Sequence, residues 1–213
     1  MDMQNMKMIV FDMDGVILDS EPLHENSRQM MFQKYNITPD SSFPPPVGNS
    51  SSGFWRKVFA LCGLEGDAYE LEAEQYYLVA KQIKDNNLPP SDGLLDVIKW
   101  AKDKGMKVGL ASSSTRILVD AVLDLMNIRE YFDYTVSGDE IERKKPAPDA
   151  YLKVLELAGI PAEAAMAVED SGTGVAAAKT AGLYCFGYAN PTSGEQDLSQ
   201  ADQIISHLKE IIK

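Results

Sequence analysis

Short apolar runs and amphipathic stretches alternate along most of the chain, and this pattern predicts strands followed by helices. The first run, residues 6–11, is too short for a helix and rich in branched and aromatic side chains, which indicates a buried strand. Helical periodicity follows later strands, for example over 116–126, and Ser91 or Asp92 is predicted to cap a helix over 94–104. The alternation predicts an α/β fold with a mostly parallel, doubly wound sheet. The later predicted strands are residues 107–111, 134–137, 164–168, 183–188 and 203–205.

Residues 19–88 interrupt this alternation, because they show helical patterns and no strand signal. A helix capped by Ser20 is predicted to run to about residue 35, and the Pro- and Ser-rich stretch 38–53 is predicted to be a loop. Helical patterns return over 54–61 and 68–84. The predicted organisation is an α/β domain of residues 1–18 and 89–213 with an inserted helical domain of residues 19–88. Three tyrosines of the insertion are predicted to pack in a helical core: Tyr69, Tyr76 and Tyr77.

Composition limits the classes of partner and compartment. The chain has 213 residues, of which 45% are hydrophobic, so it can build a core without disulfides. A formal net charge of −12 disfavours nucleic acid or an anionic membrane as a partner. Cys62 and Cys185 lie far apart without metal-ligand spacing, which predicts two reduced, mostly buried thiols. No apolar run approaches the roughly 18 residues of a membrane span, and we expect a soluble, cytoplasmic monomer.

Two aspartates follow the first predicted strand in the sequence Asp12-Met13-Asp14-Gly15. A buried parallel strand delivers the residues after it to the carboxyl edge of the sheet, where open α/β folds bind ligands. Two carboxylates this close repel each other unless a cation lies between them or one holds a proton. This arrangement favours a hard cation such as Mg²⁺, although taken alone the motif could also be an acidic turn.

Three further polar segments are expected at the same edge: Ser112-Ser113, the loop that contains Lys145, and Glu169-Asp170. Individually they could be a helix cap, a solvated charge and an acidic turn. Together with Asp12 and Asp14 they fit phosphoryl transfer, in which one carboxylate forms an aspartyl phosphate and a second acts as general acid and base. A metal ion and a lysine would neutralise the transferring oxygens. Asp12 is the predicted nucleophile and Asp14 the predicted acid and base.

These segments resemble the four motifs of the haloacid dehalogenase superfamily. Within that superfamily, residues 15–24 (Gly-Val-Ile-Leu-Asp-Ser-Glu-Pro-Leu-His) and the helical insertion resemble the β-phosphoglucomutase-like phosphatases. The resemblance implies a Rossmann-like core with an inserted, mobile helical cap domain. The four stretches that carry it are Asp12-Met13-Asp14-Gly15, Leu110-Ala111-Ser112-Ser113, Lys145-Pro146-Ala147-Pro148-Asp149 and Glu169-Asp170-Ser171.

The resemblance also implies a role for each matched residue. Asp12 would be the phosphorylated nucleophile and Asp14 the acid and base. The family's dehalogenases lack the second aspartate of the first motif, so Asp14 argues against dehalogenation. The remaining implied roles are phosphate binding by Ser112, Ser113 and Lys145, and Mg²⁺ binding by Asp12, the Asp14 carbonyl and Asp170, with Glu169 nearby.

Two features of the insertion bear on the substrate. The mutases of this subgroup carry a cap arginine that grips a second phosphate, whereas the comparable residues 48–53 are Gly-Asn-Ser-Ser-Ser-Gly, and Arg56 is predicted to lie in the next helix. His24 matches a histidine that these mutases use at the cap hinge, but it could equally be a surface residue of the cap helix. We therefore predict a phosphatase acting on a small phosphorylated metabolite, such as a sugar phosphate. One alternative is β-phosphoglucomutase. The other is a receiver-type phosphorylatable module, and the insertion and Asp14 disfavour this second alternative.

Overall fold

The chain divides into two compact units. The computed structural model describes residues 5–45 and 50–212. One unit runs to Glu21 and resumes at Asn87, and the other spans Pro22–Asn86. The sequence places these boundaries after residues 18 and 88, and the interpretation of the units as core and cap stays a prediction.

A parallel sheet forms the centre of the first unit. In the described part of the chain it has six strands in the order β3-β2-β1-β4-β5-β6, and each neighbouring pair is parallel. The four residues of β1 are fully buried, because helices cover both faces of a doubly wound sheet. The predicted α/β fold is confirmed. The strands are β1 (Met8–Phe11), β2 (Lys107–Ala111), β3 (Tyr134–Val136), β4 (Ala165–Glu169), β5 (Tyr184–Tyr188) and β6 (Gln203–Ile205).

Helices follow each of the strands β1 to β4 along the chain and make up most of the second unit. Their apolar positions recur at helical spacing, so each buries one face and leaves the other polar. None of the helices within residues 5–45 and 50–212 has the length and apolar character needed to cross a membrane. The helices are α1 (Glu21–Lys34), α2 (Ser51–Leu61), α3 (Ala68–Asn86), α4 (Leu94–Asp103), α5 (Arg116–Leu125), α6 (Asp149–Ala158) and α7 (Gly172–Thr180), with a final 3-10 helix at Leu208–Ile212.

The predicted loop over 38–53 is wrong at its end, because α2 already begins at Ser51. Ser50 is the residue before the helix, and its hydroxyl accepts a 3.1 Å hydrogen bond from the Gly53 N–H. The Glu72 carboxylate accepts another from the Ser52 N–H at 3.1 Å. Serine side chains that satisfy the free N–H groups of a first turn stabilise a helix start, which explains why the serine run is not wholly loop. Residues 46–49, which include part of the predicted loop, lie outside the described residues.

Aromatic side chains form the core of the second unit, but two of the predicted tyrosines are not among them. Tyr76 is buried, whereas Tyr69 and Tyr77 are 66% and 67% exposed. Tyr69 and Tyr77 are eight residues apart and therefore share the outward face of α3. The largest fully buried side chain is instead Trp55 of α2, whose ring packs against Phe32 at 5.4 Å between centroids.

Two smaller predictions are also corrected. Both cysteines are free, but only Cys185 is buried; Cys62 directly follows α2 and is exposed. Neither Ser91 nor Asp92 caps α4, because the preceding residue is Gly93 and no side chain accepts a hydrogen bond at that cap. Gly93 adopts a left-handed conformation with φ of 86°, which a serine or aspartate would adopt only with strain.

The two points where the chain leaves and rejoins the first unit are neighbours. The Ser91 N–H donates a 2.9 Å hydrogen bond to the Ile17 carbonyl. Ile17 is fully buried and lies only a few residues before Glu21, where the first unit is interrupted. The long insertion is therefore closed at its base by a backbone contact within the first unit.

Candidate active site

The side chains predicted to be functional lie together where three adjacent strands end. Phe11, the last residue of β1, pairs with Leu110 of β2 on one side and with Val168 of β4 on the other. Asp12 follows β1 directly, and its N–H donates to the Val168 carbonyl at 3.0 Å. Strands β2 and β3 lie on one side of β1, and β4 to β6 on the other, so this edge is the topological switch point of the sheet. Ligands of open α/β folds bind at such a point.

A lysine lies between two buried carboxylates at this edge. Lys145 Nζ is 2.5 Å from Asp12 Oδ1 and 2.6 Å from Glu169 Oε1. It also donates a 2.9 Å hydrogen bond to the Ala111 carbonyl at the end of β2. The Lys145 side chain is 6% exposed and that of Glu169 is fully buried, so these charges interact with little screening by water. Lys145 therefore connects the ends of β1, β2 and β4.

Three carboxylates form a cluster that fits a metal ion. Asp12, Glu169 and Asp170 are buried and each contributes an oxygen within 4.8 Å of the other two. Among the described residues, Glu169 Oε2 has no hydrogen-bond partner although it is buried. An unpaired buried carboxylate oxygen is costly, and three ionised carboxylates exceed the single positive charge of Lys145. An all-oxygen donor set with excess negative charge suits a hard divalent cation such as Mg²⁺.

Burial changes the protonation of this cluster. Burial, with a smaller contribution from repulsion by Asp12, raises the pKa of Glu169 to about 8 and that of Asp170 to about 7. The pKa of Asp12 is also raised, because burial outweighs the attraction of Lys145. Burial lowers the pKa of Lys145, but attraction to Asp12 and Glu169 exceeds that effect and the pKa lies above its usual range. The lysine is thus charged at neutral pH, while the carboxyl groups compete for protons unless a cation neutralises them.

Two glycines leave room for the carboxylates. A Cβ added at Gly174 would lie 1.9 Å from Glu169 Oε2, and one added at Gly15 would lie 1.8 Å from Asp170 Oδ2. Gly15 also has a φ of 76°, which allows the tight turn after Asp14. Any other residue at either position would displace a carboxylate of the cluster.

The second aspartate of the first motif has a different environment. Asp14 is only partly buried, and the Ser114 hydroxyl donates a 2.8 Å hydrogen bond to its Oδ2. Its carboxylate is not a member of the oxygen cluster found in the described residues. Metal binding by the Asp14 carbonyl, the group implied by the resemblance, stays a prediction.

The predicted phosphate-binding serines lie at the end of β2. Ser112 is fully buried, and its hydroxyl accepts a 3.0 Å hydrogen bond from the Ser114 N–H. The Ser113 carbonyl packs against Gly138, where an added Cβ would approach it to 2.1 Å. The structure therefore brings Ser112 and Ser113 to the same sheet edge as Lys145, whose ammonium contacts the neighbouring Ala111. Their binding of phosphate stays a prediction.

The predicted residues of the insertion belong to the second unit. His24 lies on α1, its Nδ1 is 3.0 Å from Gln75 Nε2, and its ring contacts that of Tyr76 edge to face. Gln75 Oε1 accepts a 2.6 Å hydrogen bond from the Trp55 indole. His24 thus has a structural partner within its own unit, and its role in substrate binding stays a prediction. Arg56 lies in α2, as predicted, and is exposed.

Sequence reasoning missed several residues that contact the site. The Tyr151 hydroxyl donates a 2.5 Å hydrogen bond to Glu169 Oε1 from the first turn of α6. Ser193 donates to Asp170 Oδ2 at 2.5 Å, and Asn190 Nδ2 donates to the Gly15 carbonyl at 2.9 Å. Ser193 and Asn190 follow β5, so a polar segment after a predicted strand was the available signal.

Solved structures share this fold over almost the whole chain. CbbY from Rhodobacter sphaeroides, solved with phosphate, is 24% identical, with a TM-score of 0.84 over 97% of this chain and 96% of that one. A β-phosphoglucomutase from Clostridium difficile is 20% identical, with a TM-score of 0.79 over 97% and 93%. The hydrolase YfnB from Bacillus subtilis, solved with magnesium, is 18% identical, with a TM-score of 0.74 over 97% and 96%. At these identities the likeness shows the fold.

Curated relatives include phosphatases of similar length. A phosphorylated carbohydrates phosphatase of Thermotoga maritima is 28% identical over 97% of this chain and its own full length. The fructose-1-phosphate phosphatase YqaB of Escherichia coli is 31% identical over 82% of this chain and 92% of its own. The chain also matches Suppressor of quenching 1 of Arabidopsis thaliana at 32% identity over 83% of this chain, but spans only 17% of that larger protein.

A family model described as haloacid dehalogenase-like hydrolase matches residues 6–182. The match contains all four predicted motifs, so the resemblance inferred from the residues is confirmed. The chain belongs to the haloacid dehalogenase-like hydrolases.

Proposed function

We propose that the protein is a Mg²⁺-dependent phosphatase that hydrolyses a small phosphomonoester, such as a sugar phosphate, through an aspartyl phosphate on Asp12. The observation that carries this proposal is the position of the Lys145 ammonium between the buried carboxylates of Asp12 and Glu169. A nucleophilic carboxylate next to a fixed positive charge suits the transfer of an anionic phosphoryl group. The names of the Thermotoga and Escherichia relatives support a phosphorylated sugar as substrate.

The first half of the reaction uses Asp12 and Asp14. An oxygen of the Asp12 carboxylate attacks phosphorus, a new O–P bond forms, and the bond from phosphorus to the leaving oxygen breaks. Asp14 gives its proton to that oxygen, so the alcohol leaves without a negative charge. The Ser114 hydroxyl, 2.8 Å from Asp14 Oδ2, limits the directions in which the Asp14 carboxyl can point.

In the second half of the reaction Asp14 acts as a base rather than as an acid. Asp14, now ionised, removes a proton from a water molecule, whose oxygen attacks phosphorus of the aspartyl phosphate. The bond between phosphorus and the Asp12 oxygen breaks, which releases phosphate and restores both carboxyl groups to their starting states. One group thus acts as acid and then as base, as the phosphatase reaction requires.

The remaining groups of the site would bind the phosphoryl oxygens or hold the Mg²⁺ ion. Lys145 and the β2 terminus, with Ser112 and Ser113, are the proposed phosphate ligands. Asp12 and Asp170 would hold Mg²⁺, with the Asp14 carbonyl as a further ligand and Glu169 beside them. When bound, the ion supplies charge neutralisation for the carboxylates and the phosphoryl group. The unpaired Glu169 Oε2 and the all-oxygen cluster support this assignment, as does the magnesium described for YfnB.

Hydrolysis is favoured over mutase chemistry by the sequence of the insertion. Residues 48–53 contain no arginine that could hold a second phosphate, and the Ser51–Gly53 part is the first turn of α2. A β-phosphoglucomutase would have to transfer the phosphoryl group from the aspartate back to a sugar, whereas a phosphatase transfers it to water. The small metabolite, the absence of nucleic-acid and membrane partners, the monomeric state and the cytoplasmic location stay predictions.

A screen of phosphorylated metabolites tests the proposal. Wild-type protein, and Asp12→Asn as a matched control, are assayed for phosphate release with Mg²⁺ and with EDTA, and β-glucose 1-phosphate is included with and without a catalytic bisphosphate. We expect phosphate release from at least one sugar phosphate that needs both Mg²⁺ and Asp12. Release that survives Asp12→Asn or EDTA would contradict the proposal. Formation of glucose 6-phosphate without phosphate release would establish the mutase instead.

A further inference from the structure

A polar loop after β5 contacts the metal site and lies outside the residues matched by the family model. We call residues 190–196 the 190–196 loop; its sequence is Asn-Pro-Thr-Ser-Gly-Glu-Gln. It follows the fifth strand along the chain and so reaches the same sheet edge as β1 and β4. No motif of the sequence analysis includes it, and the family model ends at residue 182.

The central contact of the loop is with a carboxylate of the metal cluster. The Ser193 hydroxyl donates a 2.5 Å hydrogen bond to Asp170 Oδ2. The same oxygen lies where a Cβ of Gly15 would be, only 1.8 Å from that position. Asp170 is 7% exposed, so its carboxylate is enclosed by the Gly15 backbone and the Ser193 hydroxyl. One oxygen is thereby fixed, which also fixes the direction of the other.

The loop is itself anchored to two segments of the site. Asn190 Nδ2 donates to the Gly15 carbonyl at 2.9 Å, in the turn after Asp14. At the other end, Gln196 Oε1 accepts a 3.2 Å hydrogen bond from the Gly172 N–H at the start of α7. Gln196 Nε2 donates to the Ser193 carbonyl at 2.9 Å. The backbone of Ser193 is therefore held between the turn after β1 and the helix after β4.

We propose that the 190–196 loop is a positioning element of the cation site and that Ser193 is the positioning residue of Asp170. The inference rests on the proposed Mg²⁺-dependent function and adds a residue that acts through a ligand rather than on the substrate. Without the Ser193 hydrogen bond, the Asp170 side chain would have to be ordered when Mg²⁺ binds, and the entropy cost of that ordering would reduce the free energy of Mg²⁺ binding. Removing a hydrogen bond to a metal ligand typically weakens metal affinity by about 10- to 100-fold.

The test measures Mg²⁺ binding directly. Isothermal titration calorimetry of the 213-residue chain with Mg²⁺ is compared for wild type, Ser193→Ala and Ser193→Thr. We expect about tenfold weaker binding for Ser193→Ala and recovery in Ser193→Thr, which keeps the hydroxyl. In phosphatase assays Ser193→Ala should need a correspondingly higher Mg²⁺ concentration, with kcat at saturating Mg²⁺ close to wild type.

Two further variants make the comparison specific. Ser206→Ala removes a serine hydroxyl that also donates to a carboxylate, that of Glu210 at 2.8 Å, and should leave Mg²⁺ affinity unchanged. Gln196→Ala keeps the Ser193 hydroxyl but removes its backbone anchor, and should weaken Mg²⁺ binding less than Ser193→Ala does. Gln196→Ala also provides the measurement if Ser193→Ala does not fold.

The outcomes separate this inference from the proposed function. If wild type binds Mg²⁺ and loses affinity in Asp170→Asn but not in Ser193→Ala or Gln196→Ala, the positioning role is wrong while the cation site stands. If wild type does not bind Mg²⁺, or Asp170→Asn binds it as tightly, the cation site is wrong and the positioning role is overturned with it. Equal weakening by Ser206→Ala would also overturn the role, because the effect would then be general.

Discussion

The Ser114 hydroxyl donates a 2.8 Å hydrogen bond to Asp14 Oδ2. This contact joins the turn after β1 to the segment after β2. Ser114 is itself held, because its N–H donates to the buried Ser112 hydroxyl at 3.0 Å. The proposed acid and base is therefore oriented by a side chain from the neighbouring strand end, which makes Ser114 the first residue to test beyond the four motifs.

Replacing Ser114 with Ala should slow the reaction most for substrates that depend on proton donation. An alkyl phosphate has a poor leaving group and needs the Asp14 proton, whereas 4-nitrophenolate leaves without one. We expect kcat to fall about tenfold for an alkyl phosphate and much less for 4-nitrophenyl phosphate, in line with the worth of a hydrogen bond to a charged group. Ser114→Thr, which keeps the hydroxyl, is the matched control. Equal losses on both substrates would show that Ser114 does not act through Asp14.

Substitutions of the two aspartates of the first motif should have different effects on catalysis and on Mg²⁺ binding. Asp12→Asn removes the nucleophile and should lower kcat by more than about 10³-fold, with no acid-stable phosphate on the Asp12 peptide after quenching. Asp14→Ala should lower the rates of both half-reactions by roughly 10²- to 10⁴-fold while Mg²⁺ binding persists. Mass spectrometry of quenched reactions and calorimetric titration with Mg²⁺ measure these effects. An Asp14→Ala protein that loses Mg²⁺ but keeps its rate would reverse the assignment.

Adding a single methyl group at Gly174 should damage the carboxylate cluster. Gly174 lies in the first turn of α7, where alanine favours the helix by up to about 1 kcal/mol over glycine. The added Cβ would nevertheless lie 1.9 Å from Glu169 Oε2, and overpacking of this kind costs about 1–3 kcal/mol. We expect Gly174→Ala to unfold at lower urea concentration and to bind Mg²⁺ more weakly, and Glu169→Ala in the same chain to restore part of the stability.

Thr173→Ala is the control for helix propensity, because it adds no atom near Glu169. It should leave the urea midpoint almost unchanged. A Gly174→Ala protein that is more stable than wild type and binds Mg²⁺ normally would mean that Glu169 has room to move and that the close approach has no consequence.

Without a divalent cation, stability should fall as pH rises. The folded-state pKa values of Glu169, about 8, and Asp170, about 7, exceed the ordinary values of 4.5 and 3.8. Between the ordinary and raised values the folded state binds more protons than the unfolded state, so the free energy of unfolding decreases with increasing pH. Lys145, whose pKa is raised above its usual range, stays charged throughout this window and adds no slope.

Urea unfolding in EDTA at pH 5, 6.5 and 8 measures this slope. Mg²⁺ should restore stability most at pH 8, where it replaces the lost protons. Glu169→Gln carries no titrating group at that position and should flatten the dependence in EDTA. A free energy of unfolding that rises with pH in EDTA would contradict the raised pKa values.

The position of the candidate site at one edge of the sheet was predictable, because all strands of a parallel sheet end on the same side. Once Asp12, Ser112 and Glu169 are each recognised as lying at the carboxyl end of a strand, the sheet places them together regardless of their separation in sequence. The loop that contains Lys145 follows β3 and was expected at the same edge, but the contacts of the Lys145 ammonium with Asp12 and Glu169 depend on side-chain direction and could not be predicted from the sheet alone. Fold class followed from the same alternation, and the strand positions agree with it closely.

Contacts that depend on side-chain direction were not predictable in this way. Ser193 and Asn190 lie in a turn-rich polar loop, and composition alone does not show whether such a loop faces solvent or a carboxylate. The helix start at Ser51 depended on which serine of the run became the cap. The exposure of Tyr69 depended on which face of α3 packs, because an aromatic residue at helical spacing fits either face.

The hydrogen bond between Ser91 and Ile17 has a consequence for how much change the chain tolerates between those two residues. Because the segment between them leaves and returns at neighbouring points, its length and sequence can change without altering the strand register that holds Asp12 and Glu169. Loops closed at a compact base tolerate large insertions and replacements. We therefore expect that the second unit, Pro22–Asn86, can be replaced by a segment of different length and sequence between Ile17 and Ser91 while the sheet of the first unit keeps its fold.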